Sequence, residues 1–132
     1  MKRTVVIMAG LLSLLIFSAT AGAAWHQLAS SQSGSWVISH KIFSTQGDCK
    51  TFAVLLKYKE PKQVSGRSIT QKKFVVEACC NAKTFRRVSV TLVDSTGKDV
   101  DSAKVDEVAH PPTANSVADY MVRKICTPGF AR

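Results

Sequence analysis

The stretch FVVEACCNAKTFRRVSVTLVDSTG, residues 74–97, predicts a β-hairpin with two adjacent cysteines at the end of its first strand. Over residues 74–80 the side chains alternate with the period of two that a strand imposes. One face of this strand collects Phe74, Val76, Ala78 and Cys80. Residues 81–83 then fit a short turn, and apolar and polar side chains alternate again over residues 87–92. Residues 94–97 supply the turn chemistry that closes the second strand.

Residues 1–23 follow the three-part pattern of a secretory signal peptide. Two basic residues precede an apolar run over residues 5–17, which is short for a membrane-spanning helix. Ala21-Gly22-Ala23 ends the segment as a cleavage motif, and no cysteine follows it closely enough to carry a lipid. We therefore expect an exported protein, periplasmic or secreted, whose residues 24–132 form one domain of 109 residues without a membrane span.

All four cysteines lie in the exported part of the chain, and an even count in an oxidising compartment predicts two disulfides. Because neighbouring residues of a strand point to opposite faces, Cys79 and Cys80 are poorly placed to bond each other. We expect the pairs Cys80–Cys126 and Cys49–Cys79, with the exchanged pairing as the alternative. Each bridge would contribute about 2–4 kcal/mol, a large share of the stability of so small a domain.

The remaining exported residues predict a mobile arm, three further strands and one long loop. Residues 24–35 carry Ser and Gly with little pattern, and they predict a mobile N-terminal arm. Residues 36–43 and 50–58 predict strands, the second of them central because its apolar run is nearly continuous. Residues 59–71 are rich in Pro, Gly, Ser and charge and predict a loop. Residues 98–109 are acidic and partly alternating, and they predict an edge strand.

A short amphipathic helix is predicted near the C-terminus, after the His-Pro-Pro break at residues 110–112. Its apolar positions recur at helical spacing and are Ala114, Val117, Ala118, Met121, Val122 and Ile125. Ser116 with Asp119 resembles a capping box, and Thr113 is a competing cap. The helix is expected to end at Cys126, whose disulfide would hold it to the sheet. The expected fold is therefore α+β, a single antiparallel β-sheet packed by one C-terminal α-helix and stapled by disulfides.

The chain is strongly basic, with a formal net charge of +9, or +7 once residues 1–23 are removed. Eleven basic residues and three acids lie between Lys41 and Arg87, whereas five acids and two lysines lie between Asp94 and Glu107. A basic face favours anionic partners such as acidic polysaccharides, lipid head groups or acidic proteins. A solvated surface is the alternative, and nucleic acid is not expected because few aromatic side chains interleave with the cations. The candidate ligand-binding residues are Lys57, Lys59, Lys62, Arg67, Lys72, Lys73, Arg86 and Arg87.

The sequence carries no motif that indicates catalysis. It lacks a nucleophile elbow, an HExxH motif and a phosphate-binding Gly loop. His26, His40 and His110 could on paper supply a ribonuclease-like site, but surface or packing roles fit them better. Asp99 and Asp101 fall on one side of a strand and could suit a hard cation, although a solvated acidic strand is commoner. We therefore expect a protein that is not an enzyme, with no cofactor and no bound metal.

The order of these features is similar to that of the surface-adhesin protein E-like family of small exported bacterial proteins. An export signal is followed by an early Trp, an apolar strand that ends in Tyr58, a Pro-Gln loop and then the Glu77-x-x-Cys80 strand. Basic residues, an alternating strand, a Gly turn, a Pro-Pro break and a helix ending at Cys126 complete the resemblance, which covers residues 25–126.

The resemblance implies an antiparallel sheet packed by one C-terminal helix, with Cys80 bridged to Cys126. It also implies a surface adhesin that binds host matrix proteins and can form a homodimer. The chain departs from the family because it lacks a lipoprotein cysteine and because the pair Cys49 and Cys79 goes beyond the family's single bridge.

Three hypotheses about function follow from the sequence. The first is an exported binding module that engages host matrix proteins or polyanions through a basic loop. The second is a periplasmic inhibitor or envelope accessory protein that plugs an enzyme cleft with a loop. The third is a small ribonuclease-like hydrolase, which would require His40 and His110 to converge.

Overall fold

One antiparallel β-sheet and one short helix are the main elements of this computed structural model, which describes residues 25–131. The strands follow the chain order across the sheet and are β1 (Trp25–Ser30), β2 (Gly34–Gln46), β3 (Cys49–Val64), β4 (Arg67–Cys79), β5 (Thr84–Asp94) and β6 (Asp99–Lys104). Helix α1 (Val117–Ile125) follows β6. The predicted α+β fold is therefore confirmed. The predicted signal peptide, residues 1–23, lies outside the described residues.

The hairpin predicted from residues 74–97 is formed by β4 and β5, which pair antiparallel. Phe74, Val76 and Ala78 are buried on one face of β4, as their alternation predicts. Strand β3 lies on the other side of β4, and its residues 52–56 are all buried. A run of five buried residues means that both faces of β3 are covered there, which confirms that it is a central strand.

The prediction of a mobile N-terminal arm over residues 24–35 is wrong for the part of the arm that the structure describes. Trp25–Ser30 pairs antiparallel with β2, with Trp25 opposite Ser39. Leu28 packs against the core that lies under the helix. The sequence signal for β1 is weak because an edge strand needs few apolar side chains and takes its hydrogen bonds from a single neighbour.

The prediction of a loop over residues 59–71 is also wrong. Strand β3 continues to Val64 and β4 begins at Arg67, so the segment consists of two paired strands and a two-residue turn. Ser65 and Gly66 both have positive φ, +49° and +77°, which is the combination of a type I′ turn. This turn matches the twist of paired strands, and the Ser-Gly dipeptide is the signal that could have predicted it.

Helix α1 packs its apolar side against one face of the sheet. It contributes Met121, Val122 and Ile125 to a core cluster that also contains Ile38, Phe52, Val54, Leu56, Phe74, Val76 and Ala78. The Ser116 hydroxyl accepts a hydrogen bond from the backbone N–H of Asp119 at 3.2 Å, so Ser116 is the N-cap and Thr113 is not. Because an isolated helix of nine residues is marginal in water, this packing is what keeps α1 folded.

Both predicted disulfides are confirmed. Cys49–Cys79 joins β3 to β4 across a registered pair whose Cα atoms are 4.0 Å apart. Cys80–Cys126 joins the β4–β5 turn to the C-cap of α1, with Cα atoms 5.6 Å apart. The adjacent cysteines therefore serve different purposes, since Cys79 ties two strands together and Cys80 ties the helix to the sheet.

Candidate functional site

The distal ends of β3 and β4 project beyond the rest of the sheet as a two-stranded arm. Strand β2 pairs with β3 only as far as Tyr58, and β5 pairs with β4 only from Ile69 onward. The register of β3 against β4 shifts between Lys57 and Lys62, and residues 59–67 are all exposed. At about 3.3 Å per residue, the paired tip reaches about 10 Å past its neighbouring strands.

Six of the predicted ligand-binding cations lie along β3 and β4 and define what we call the basic hairpin: Lys57, Lys59, Lys62, Arg67, Lys72 and Lys73. Lys59, Lys62 and Arg67 lie on the projecting arm, whereas the other three lie at its base, where β3 and β4 pair with their neighbouring strands. Within residues 25–131 none of them forms an ion pair. The Lys62 Nζ lies 4.9 Å from the centre of the Tyr58 ring, and the Lys72 Nζ lies 5.4 Å from that of Phe74, so two of the cations rest on aromatic faces. Aromatic contacts leave the positive charge uncompensated, so the basic hairpin can attract anions.

The cations of the basic hairpin point to both sides of the sheet. Lys73 pairs with Leu55, and Lys57 is two residues along the strand from Leu55, so both face away from the helix. Lys72 pairs with Leu56 of the core cluster and faces the helix side. The basic hairpin is therefore charged on both faces of the sheet and is not a flat patch.

The other two predicted cations, Arg86 and Arg87, are paired with acids of the chain itself. The Arg86 Nε lies 3.0 Å from a carboxylate oxygen of Glu77, and the Arg87 Nε lies 2.7 Å from one of Glu107. Arg86 is registered with Glu77 and Arg87 with Val76 of the core cluster, so the two arginines stand on opposite faces of the sheet. They do not form one polar face of the hairpin, and each is paired with a carboxylate of the chain.

Glu107 connects the segment after β6 to strand β5. One carboxylate oxygen accepts the hydrogen bond from Arg87, and the other accepts one from the His110 Nε2 at 3.0 Å. Burial by itself raises the pKa of Glu107, but the hydrogen bonds from His110 and Arg87 and the charge of Arg87 outweigh it, so this pKa lies below its ordinary value. Backbone hydrogen bonds between His110 and Phe85 hold the same segment to β5.

An apolar cavity of about 250 Å³ lies between α1 and the sheet, next to these polar side chains. Its apolar walls include Trp36, Phe74, Phe85, Val117, Ala118 and Met121. The Trp36 and Phe74 rings are stacked with their centres 5.7 Å apart. Arg87, Glu107 and His110 also line the cavity, and because the Arg87 and His110 side chains are 49% and 50% exposed, they mark its mouth.

The three histidines are divided between two places. The rings of His26 and His40 lie 5.8 Å apart, and both contact Phe130, whose carbonyl accepts a hydrogen bond from the His40 Nδ1 at 3.0 Å. Burial, followed by the charges of Lys124 and His40, holds the pKa of His26 below its ordinary value. His110 pairs with Phe85 on the side of β5 away from β4, four strand spacings from β2 and therefore about 19 Å from His40. The pair that a ribonuclease-like site requires, His40 with His110, is not assembled.

The predicted hard-cation site on β6 does not gain further ligands. Asp99 and Asp101 are exposed on the edge strand. Across the residues that the structure describes, no group of three or more His, Cys, Asp or Glu side chains is arranged to hold a metal ion. Nor does any helix between residues 25 and 131 have the length and apolar character needed to cross a bilayer.

Two features of these sites escape sequence reasoning. The cavity walls come from strands β2, β3, β4 and β5 and from helix α1, which is far from these strands along the chain. The contact between Arg87 and Glu107 joins residues 20 positions apart, and no short-range pattern marks it. Comparison with known proteins adds no further constraint. No protein-family model matches the chain and no curated protein matches it, so its similarity to the surface-adhesin protein E-like family stays a prediction.

Proposed function

We propose that the protein is an exported, non-enzymatic binding module that engages an anionic partner through the basic hairpin. The observation that supports this proposal is a hairpin whose tip projects beyond the sheet and whose six cations, three on the tip and three at its base, have no ion-pair partner among the described residues. A concentration of one charge on an exposed projection attracts oppositely charged partners and speeds their association. The two disulfides support export, because such bonds persist in oxidising compartments.

The shape of the basic hairpin favours an extended partner. Lys57 and Lys73 face one side and Lys72 the other, so a flat anionic surface would meet only part of the charge. A flexible polyanion, such as an acidic polysaccharide or an acidic segment of a host matrix protein, can follow both sides of the arm. Adhesion to host matrix, which the family resemblance implies, is consistent with such a partner.

The proposal is tested by measuring binding to a heparin-like polyanion as salt is raised. The variant Lys59→Ala, Lys62→Ala, Arg67→Ala removes three exposed charges at the tip without touching a buried residue. We expect it to bind about tenfold more weakly at low salt and to show a shallower salt dependence, because fewer counterions are released on binding.

The matched control is Lys83→Ala, Lys98→Ala, Lys104→Ala, which changes the net charge equally at exposed positions outside the basic hairpin. It should bind like the wild-type protein. Equal weakening in both variants would mean that net charge alone drives binding, and the hairpin would then not be the site.

An inhibitor is the second candidate function, and the projecting arm is the observation that favours it. A narrow two-stranded tip closed by the turn at Ser65 and Gly66 has a shape that can enter an enzyme cleft. In that case, capture from periplasmic extract with the wild-type protein should return one dominant enzyme at physiological salt. Loss of that enzyme on removing residues 62–69, with polyanion binding unaffected, would favour the inhibitor over the adhesive module.

A further inference from the structure

We propose that the cavity between α1 and the sheet binds a small monocarboxylate of about eight carbons. The site is separate from the tip of the basic hairpin, and the proposal does not depend on the function proposed above. It is carried by the size of the cavity, the character of its walls and the charges at its mouth.

The size of the cavity sets the size of the ligand. A cavity of about 150 Å³ accommodates benzene, which has six heavy atoms. By proportion, the 250 Å³ between α1 and the sheet holds about ten heavy atoms. An eight-carbon carboxylate has this number, whereas long-chain lipids are too large to be enclosed.

The walls select an apolar body. Trp36, Phe74 and Phe85 offer aromatic faces, and Ala118 and Met121 close the cavity from the helix side. Polar lining groups are confined to the mouth. A hydrocarbon or aromatic body can therefore lose its water inside without leaving a buried polar group unpaired.

The charges at the mouth select an anionic head group. The Arg87 Nε is bound to Glu107, and no other hydrogen bond joins this guanidinium to the described chain, so its terminal amino groups are available. The mouth therefore presents a guanidinium with unused donors beside the single carboxylate of Glu107. A planar carboxylate matches the fork of donors that a guanidinium presents.

The binding test uses the fluorescence of Trp36, which lines the cavity. The variant Trp25→Phe removes the other tryptophan of the chain and leaves Trp36 as the only reporter. Octanoate is titrated beside octanol and octylammonium, which share its chain length and differ in head-group charge. We expect saturable binding of octanoate, with octanol about tenfold weaker because hydrogen bonds to a charged group are the stronger ones. Hexanoate, two methylenes shorter, should also bind about tenfold more weakly.

Two substitutions in the Trp25→Phe background separate the walls from the mouth. Ala118→Leu fills the cavity and should abolish the response to both octanoate and octanol. Arg87→Gln should weaken octanoate to the level of octanol and leave octanol unchanged. Ala103→Leu is the matched control, because it makes the same change at an exposed position of β6 outside the cavity, and it should bind like its parent.

A further measurement guards against a variant that fails to fold. Octanoate should raise the melting temperature of the Trp25→Phe protein at concentrations that saturate the fluorescence change, since a ligand that binds only the folded state stabilises it.

The absence of any saturable response to octanoate, or full binding by a folded Ala118→Leu protein, would overturn the proposal. Octanol or octylammonium binding as tightly as octanoate would equally overturn it, because the head group would then play no part. Loss of polyanion binding at the hairpin tip would leave all of these results unchanged, so the two proposals fail separately.

Discussion

Burial and neighbouring side chains together set the pKa values of two groups in this protein, His26 and Glu107. Lys124 lies close enough to His26 to disfavour its charged form, in addition to the effect of burial. Arg87 and His110 favour the charged form of Glu107 and outweigh its burial. Both pKa values are lowered. The lower pKa favours the neutral form of His26, whereas it favours the charged form of Glu107.

We predict that Lys124→Gln raises the pKa of His26. The lysine charge is one of the causes that hold this pKa below its ordinary value of 6.5, and removing it lets the imidazole accept a proton more readily. An NMR titration of the His26 ring protons measures the change directly. Lys98→Gln, at the β5–β6 turn, is the control and should leave the pKa of His26 unchanged.

The same variant should alter the pH dependence of stability. Because the folded pKa of His26 lies below 6.5, the unfolded chain takes up the proton first, and the folded state loses stability as pH falls from 6.5 toward the folded value. Lys124→Gln brings the folded pKa of His26 closer to 6.5 and should therefore reduce this loss of stability. An unchanged titration of His26 in Lys124→Gln would contradict the proposed influence of Lys124.

We predict that Glu107→Gln destabilises the protein by about 0.5–1 kcal/mol at pH 7, a small cost because Arg87 is half exposed and its ion pair is screened by solvent. The pKa of Glu107 is lowered in the folded state, so the carboxylate contributes fully above its ordinary value of 4.5. That contribution disappears as pH falls through the folded pKa. Thermal melts from neutral to acidic pH should therefore show the two proteins converging below pH 4.5, and a difference that grew on acidification would disprove the assignment.

At the scale of elements, α1 depends on its cap and its packing more than on its length. The first turn is closed by the Ser116 hydroxyl, while Asp119 also accepts a hydrogen bond from the backbone N–H of Asn115. Arg123 and Lys124 occupy the last turn, where the helix dipole favours positive charge. The buried face then rests on the core cluster.

We predict that Ser116→Ala lowers the free energy of unfolding by about 1 kcal/mol, because the N–H of Asp119 loses its hydrogen-bond acceptor. Thr113→Ala is the matched control. The Thr113 carbonyl accepts a hydrogen bond from the Ser116 hydroxyl, but the Thr113 side chain makes no capping bond, so this substitution should be near neutral. Urea denaturation distinguishes the two variants. A larger loss of unfolding free energy in Thr113→Ala than in Ser116→Ala would mean that Ser116 is not the N-cap.

For the molecule as a whole, the two disulfides constrain different parts of the fold. Cys49–Cys79 spans 30 residues and Cys80–Cys126 spans 46, so the loss of unfolded-state entropy is similar, about 4 kcal/mol for each at most. The first bridge reinforces strands that are already hydrogen-bonded. The second is the covalent link between the helix and the sheet.

We predict that Cys80→Ser, Cys126→Ser speeds the hydrogen exchange of the α1 amides, since α1 can then open without the sheet. In the variant Cys49→Ser, Cys79→Ser the α1 amides should stay protected from exchange relative to the rest of the protein. Both double variants should nevertheless lower the denaturation midpoint. If the α1 amides and the sheet amides exchanged faster by the same factor in both double variants, the helix and the sheet would open as one unit, and this prediction would be wrong.

The sequence by itself determined much of the architecture of this protein. The alternation of Phe74, Val76 and Ala78 predicted the buried face of β4, and Ser116 predicted the start of α1. The opposite orientations of Cys79 and Cys80 pointed away from a bond between them. These properties follow from the geometry of a strand or a helical turn, which depends on residues only a few positions apart. The same short-range reasoning missed β1 and the extension of β3 beyond Tyr58, because polar edges and arms lack an apolar pattern.

Only the tertiary structure decided which charges are free and where a ligand could enter. Arg86 and Arg87 looked equivalent to the lysines of the basic hairpin until the strand register placed Glu77 beside one and the path of the chain after β6 placed Glu107 beside the other. The cavity likewise exists only where α1 meets four strands. Ion pairs and cavities are made by residues far apart in the chain, and their positions depend on register shifts and packing that no local pattern specifies.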